Sequence, residues 1–185
     1  MKIALAPYPA SSTARICVEL CSHTDILEIR YEIWAAETVL IPALRGAGPQ
    51  RCDELWRHTC CELFAAPADR LAHDVPHDAY LEFNFAPSGD WAAYAFAARR
   101  QGMRPHEAAP PRVQVTTQRA DERGRMDGLC VNVQLSRSVM GQFSRLWPTV
   151  VLETASGVSY WALRHPGEHA DFHHPENFEA AVGVT

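Results

Sequence analysis

Lysine is almost missing from this sequence: Lys2 is the only one among 185 residues, and basic charge is otherwise carried by arginine. With a formal net charge of −5, the chain lacks the clustered cations that a phosphate backbone requires, which argues against nucleic acid as a partner. Arg119, Arg123 and Arg125 come nearest to a basic patch, but Asp121, Glu122 and Asp127 are interleaved with them, the pattern of a solvated turn. No glycine-rich run leads into a Lys followed by Ser or Thr, so no phosphate-cradling loop is encoded, and no Cys-x-x-Cys-His signal marks covalent haem attachment. Long apolar runs are also missing. The N-terminal "MKIALAPYPASSTARI" is broken by Pro7 and Pro9, too weak for a secretory signal and too short for a membrane span. The expected location is the cytoplasm, with no membrane contact, and there the six cysteines (Cys17, Cys21, Cys52, Cys60, Cys61 and Cys130) are expected as reduced thiols.

Helical periodicity is equally scarce. In its place are short stretches of alternating polarity separated by Pro, Gly, Asp and Ser, the signal for antiparallel strands. In "DILEIRYEIW" the apolar Leu27, Ile29, Tyr31 and Ile33 alternate with Glu28, Arg30 and Glu32, which gives one buried and one solvated face. Comparable runs at 15–21, 55–65, 79–85, 91–98, 112–118, 129–136, 149–154 and 158–164 bring the expectation to about nine strands. Short helical turns are expected near 65–71 and 138–146. The composition, 47 % hydrophobic and 21 % charged, is that of a folded globular chain. No linker or repeat divides it, so one domain over residues 1–185 is expected. Without long amphipathic helices to connect parallel strands, the expected fold is all-β, an antiparallel β-sandwich of the jelly-roll kind with nine or more strands.

Several strands carry polar groups at every second residue. If Leu81, Phe83 and Phe85 face the core, Tyr80, Glu82 and Asn84 share the opposite, wet face. The same logic turns Asn132 and Gln134 outward, and it aligns Trp56, His58, Cys60, Glu62 and Phe64 along one side of the 55–65 run. A sugar-binding surface needs amides and carboxylates to pair with vicinal hydroxyls and a ring to stack on the C–H face of a pyranose. Glu82, Asn84, Asn132 and Gln134 are candidates for the first role, and Trp56, Trp91 or Trp161 for the second. The plain alternative is the solvated side of a sheet.

Longer pieces of the chain are more specific. "CDELWRHTCCELFAAP", "YLEFNFAPSGDWAAYAF", "RRQGM" and "SYWALRHPGEHADFHHPENF" resemble the bacterial DOMON-like family, related in fold to family 9 carbohydrate-binding modules. The resemblance runs from about Arg51 to Phe178, and it implies a β-sandwich whose relatives bind a sugar or, in some branches, haem. It also implies a pocket on one sheet in which aromatic rings act with Glu, Asn, Gln and Arg groups. The matching candidates are Trp56, Glu62, Glu82, Asn84, Arg99 and Trp161.

The rival chemistries are thinner. "HPGEHADFHHP" places His165, His169, His173 and His174 within ten positions, a compositional hint of zinc or another metal, although Pro166, Gly167 and Pro175 make the segment a loop. Haem would need an axial His or Met, for which His58, Met103, Met126 and Met140 are available. A nucleophilic Cys60 or Cys61 with His58 and Glu62 fails because strand neighbours point to alternating sides. Glu62 and Glu82 would be the pair for glycoside hydrolysis, a chemistry that their separation decides. The sequence therefore leads to a non-catalytic domain that binds a small molecule, with a carbohydrate or sugar-containing metabolite foremost and no cofactor. The alternatives are a metal- or haem-binding protein using the histidine loop and a protein-interaction scaffold.

Overall fold

A computed structural model describes residues 1–44, 46–67, 78–119 and 127–183. In chain order its strands are β1 (Lys2–Ala4), β2 (Ala6–Tyr8), β3 (Arg15–Ser22), β4 (Ile26–Ala35), β5 (Cys60–Pro67), β6 (Tyr80–Phe85), β7 (Trp91–Phe96), β8 (Arg104–Pro105), β9 (Arg112–Arg119), β10 (Asp127–Ser136), β11 (Phe143–Thr154) and β12 (Gly157–Ala162), followed by a short helix α1 (Pro175–Ala180) and β13 (Val182–Gly183). They form two antiparallel sheets packed as a sandwich. One has the order β1-β3-β4-β10-β9, the other β2-β12-β11-β5-β6-β7-β8, with β13 also paired to β11. All nine strands expected from alternation are present, and the additions β1, β2, β8 and β13 are two or three residues long, too short to leave a periodic signal. Among the described residues no helix is long and apolar enough to cross a membrane.

The five-stranded sheet follows the two-residue period closely. Leu27, Ile29, Tyr31 and Ile33 of β4 and Val131, Val133 and Leu135 of β10 are buried, while Gln134 between them is exposed. Their partners across the sandwich are Leu63, Leu81, Phe83, Phe85, Val150 and Trp161 of the eight-stranded sheet. Each large apolar side chain removed from water here contributes on the order of 1.5–3 kcal/mol. The Tyr31 hydroxyl crosses to donate a hydrogen bond to the Glu62 carbonyl oxygen at 2.8 Å, which satisfies the polar end of an otherwise apolar residue.

The eight-stranded sheet departs from the alternation rule at its centre. Every residue of β5, β6 and β7 is buried, so the side expected to be wet is covered as well. The cover is the segment from His165 to Phe178 together with a 3-10 turn at Leu55–Arg57. Phe172, Phe178, Leu55 and Trp56 pack over Phe64, Tyr80, Tyr94, Phe96 and Trp147, a second apolar cluster on the far side of the sheet. Phe64 stacks on Trp147 at 5.3 Å and Tyr80 on Phe96 at 4.6 Å, and Phe178 closes on Trp147 at 4.3 Å. The Trp147 indole N–H donates to the Phe172 carbonyl at 3.2 Å, tying the strap to the sheet. α1 begins where it does because the His174 side chain accepts the Glu176 amide at 3.3 Å and Pro175 supplies the first helical φ.

Three local expectations are corrected. The 55–65 run is not extended throughout: it makes the 3-10 turn first, and β5 begins at Cys60. The turn expected near 65–71 is strand as far as Pro67, and its remainder lies outside the described residues. Of the turn expected near 138–146, Arg137–Val139 is 3-10. Phe143, Arg145 and Leu146 instead extend β11, because β5 pairs with it along one edge and β13 along the other.

Candidate functional site

Strand register sets the site. On the strap-covered side of the eight-stranded sheet, Thr149, Glu62, Asn84 and Ala92 lie in one row across β11, β5, β6 and β7. The next row is Trp147, Phe64, Glu82 and Tyr94. Glu62 and Glu82 therefore occupy diagonal positions on adjacent strands, within reach of each other. Both are buried, at 2 % and 5 % exposure, above an Asn84 at 0 %.

Their hydrogen bonds are incomplete. Asn84 donates its amide to Glu82 Oε1 at 2.8 Å, and its own carbonyl accepts the Cys60 thiol at 3.6 Å. Thr149 donates to Glu62 Oε2 at 3.1 Å. Glu62 Oε1 is buried and has no hydrogen-bond partner among the described residues, the most costly state for a polar atom in a protein interior. Burial pushes the Glu62 carboxyl well above the usual range and the charge of Glu82 adds to the effect, opposed by the Thr149 hydrogen bond. Burial likewise raises Glu82 to about 7, against the Asn84 hydrogen bond and the charge of Arg100.

Above the acids sits His173. The Arg100 amide donates to the Tyr80 hydroxyl at 3.2 Å, and the hydroxyl lies 2.7 Å from His173 Nδ1. The consistent assignment has Tyr80 donating to Nδ1, which leaves the ring hydrogen on Nε2, 3.9 Å from Glu82 Oε2. Burial first, then the charges of Arg100 and Arg99, pull His173 down to about 4, against the opposing effect of Asp171. His173 is therefore neutral at physiological pH. Asp171 holds the strap in place: its carboxylate accepts from Arg99, from Arg100 at 3.0 Å and from the His173 amide at 3.0 Å. Arg100 reaches this position through a left-handed backbone, φ 54°, in the turn after β7.

Between strap and sheet lies a cavity of about 300 Å³. Glu62, Glu82 and His173 line its interior, and Trp56, Phe96, Tyr160 and Phe172 supply aromatic surface. Arg100 and the 48 %-exposed Met103 stand at its mouth. This is the lower end of the size range of small-molecule sites.

Of the residues expected from the sequence, Trp56, Glu62 and Glu82 meet in this cavity, and Asn84 supports them from beneath. Arg99 does not line it, since its guanidinium is engaged by Asp171 and it borders a separate hollow with Pro175 and Phe178. Trp161, at 2 % exposure, packs between the sheets, and its indole N–H donates to Ser159 at 3.0 Å. Trp91 is also a core residue, and Asn132 and Gln134 lie on the outer side of the other sheet beside Glu28 and Arg112. The lining residues Tyr160 and Arg100, which adjoin Trp161 and Arg99, and the rings Phe96 and Phe172 are not among the sequence candidates for a ligand. His173 was expected as a metal ligand and is instead part of the cavity wall.

The four histidines do not converge. His165 lies 3.0 Å from the Ala6 carbonyl, His169 is exposed, His173 faces the cavity and His174 caps α1. Among the described residues no three His, Cys, Asp or Glu side chains gather where they would hold a metal ion. Of the axial haem candidates, His58 pairs with Glu153 at 2.9 Å, Met140 is in the inter-sheet core, Met103 stands at the cavity mouth and Met126 lies outside the described residues. None of the six cysteines is joined in a disulfide. Burial raises the Cys60 and Cys61 thiols well above their usual value, which disfavours the thiolate that nucleophilic chemistry requires.

The two tryptophans give a direct check on this placement. Trp161→Ala is expected to cost about 3–5 kcal/mol of stability, as for a buried aromatic. Trp56→Ala, on a half-buried turn residue, is expected to cost about 1 kcal/mol. Urea unfolding of the two variants separates them, and equal losses would mean that Trp56 is also structural. In comparisons with known proteins, no family model, curated protein or solved structure matches this chain.

Proposed function

We propose that this β-sandwich is a non-catalytic ligand-binding domain whose cavity takes a carbohydrate or sugar-containing metabolite. The observation that carries the reading is Glu62 Oε1, a buried and unpartnered carboxyl oxygen inside an aromatic-lined cavity. A ligand hydroxyl placed there completes a hydrogen bond that the protein leaves unmade, and the same cavity offers Trp56 for the apolar face of a sugar ring. Glu82, with Asn84 locking one of its oxygens, supplies a second oriented acceptor. The resemblance of segments between about Arg51 and Phe178 to the bacterial DOMON-like family, related in fold to family 9 carbohydrate-binding modules, supports the same reading.

Glycoside hydrolysis is the competing use of a carboxyl pair. It requires environments that drive the two groups apart, one ionised and one protonated. Here burial drives both in the same direction, toward the protonated acid, which favours binding over catalysis.

The test is calorimetric titration of the wild-type protein with monosaccharides, oligosaccharides, sugar phosphates and nucleotide sugars. At least one is expected to bind, to be recovered unchanged, and to lose affinity by about tenfold or more in Glu62→Gln and in Trp56→Ala. Folded protein that binds none of them would contradict the proposal. Release of free sugar from a glycoside would replace binding by hydrolysis.

A further inference from the structure

The cavity carries a chemical bias that a neutral sugar does not use. Two buried carboxyl groups, Glu62 and Glu82, line the same cavity. Among the described residues no cation forms an ion pair with Glu62, and the one guanidinium whose charge reaches Glu82, that of Arg100, is itself paired elsewhere. Arg100 stands at the mouth with its guanidinium turned to Asp171 at 3.0 Å. Arg99 is also paired with Asp171. His173, the nearest basic side chain, lies 3.9 Å from Glu82 Oε2, and its Nδ1 is occupied by Tyr80. Buried carboxyl groups are ordinarily paired with a charge or saturated with hydrogen bonds, and Glu62 Oε1 is neither.

Building on the sugar-binding reading, we propose that the ligand carries a protonated amine, as an amino sugar does, with its ammonium seated between Glu62 and Glu82 and its ring against Trp56. An ammonium group presents three donors. Glu62 Oε1 and Glu82 Oε2 offer acceptors on diagonal strand positions, and the remaining donor is left for the ligand's own hydroxyls or for the solvent side of the cavity. The rings of Trp56, Phe96, Tyr160 and Phe172 line the same space, and an aromatic face attracts a cation and repels an anion. The hydroxyls of the same sugar would be read less strictly, because few other polar side chains line the space.

The experiment compares matched amine and hydroxyl ligands near neutral pH by calorimetry: D-glucosamine with D-glucose, D-galactosamine with D-galactose, and cyclohexylamine with cyclohexanol. The expected result is that the amino sugars bind about tenfold or more tightly than their neutral twins, the ratio of one charge-assisted hydrogen bond. The advantage should disappear in Glu62→Gln and shrink in Glu82→Gln. Equal or weaker binding of the amino sugars overturns the amine inference and leaves sugar binding standing. Binding of cyclohexylamine with none of the sugars supports the amine and overturns the sugar. Failure of every member overturns both. The wild-type comparison needs no variant, so a variant that fails to fold does not remove the test.

Discussion

Raising the pH from about 5 to about 8 is expected to destabilise the wild-type protein, the reverse of the usual behaviour of surface carboxylates. In the unfolded chain Glu62 and Glu82 ionise near 4.5; in the folded state burial holds both above that value. The folded state therefore keeps protons that the unfolded state has released, so stability is fully present below about pH 4.5 and is lost as pH rises, by about 1.4 kcal/mol per pH unit for each such group. For Glu82, folded at about 7 against 4.5 unfolded, the loss is of order 3 kcal/mol and is complete by about pH 7. Glu62 adds a loss in the same direction. His173 opposes them. Its folded value of about 4 against 6.5 unfolded means that its contribution is present above about pH 6.5 and is lost on acidification toward about 4. His165, held below its usual value by burial, acts in the same direction as His173 but is only half-buried, so the two deeply buried carboxyls still leave a net fall in stability with rising pH. Urea unfolding at a series of pH values measures it. The slope should flatten or reverse in Glu62→Gln and Glu82→Gln and steepen in His173→Gln; a wild-type protein that gains stability across this interval would show that the two acids are ionised as they stand.

Trp147→Ala is expected to be the most damaging substitution on the strap side, at about 3–5 kcal/mol. Trp147 has no solvent exposure, stacks on Phe64, contacts Phe178 and donates its indole hydrogen to the Phe172 carbonyl. Removing it opens a void beneath the strap and takes from the Phe172 carbonyl its shorter hydrogen bond, leaving only the Asn177 amide at 3.5 Å. Because Phe172 and His173 line the cavity, the same change should abolish ligand binding. Trp147→Phe keeps the stacking and loses only the donor, so an intermediate loss of about 1–3 kcal/mol is expected. Denaturant midpoints and near-ultraviolet circular dichroism read both. If Trp147→Ala left binding intact, the strap would not be what shapes the pocket.

The sandwich was legible because alternation along β3, β4, β9 and β10 is a direct consequence of one buried and one solvated face. Its limit came at β5, β6 and β7. There Glu62, Glu82 and Asn84 read as solvated residues, and they are instead buried under a strap whose sequence, rich in Pro, Gly and His, gives no periodic sign of what it covers. The three polar residues stand out as a group in the sequence because they interrupt apolar strands, and the register brings them to one side of the sheet. The aromatic and cationic partners were harder. Trp161 offers a stacking ring in the sequence, but a one-residue step along a strand reverses the side chain, and the register of β12 with β11 turns Trp161 into the core and Tyr160 toward the cavity. Arg99 and Arg100 sit in a turn, where no period distinguishes them. The short contact of His173 with Tyr80 joins residues 93 positions apart, a pairing that no local pattern encodes.

The most direct test of the account is carbon-13 NMR of the Glu62 and Glu82 carboxyl groups, assigned through Glu62→Gln and Glu82→Gln and followed through a pH titration with and without an amino sugar. The account predicts two carboxyl resonances that remain those of protonated acids well above the ordinary glutamate range, and that move together toward the ionised form when the ligand binds. Two resonances that titrate as ordinary glutamates and ignore every sugar added would contradict it.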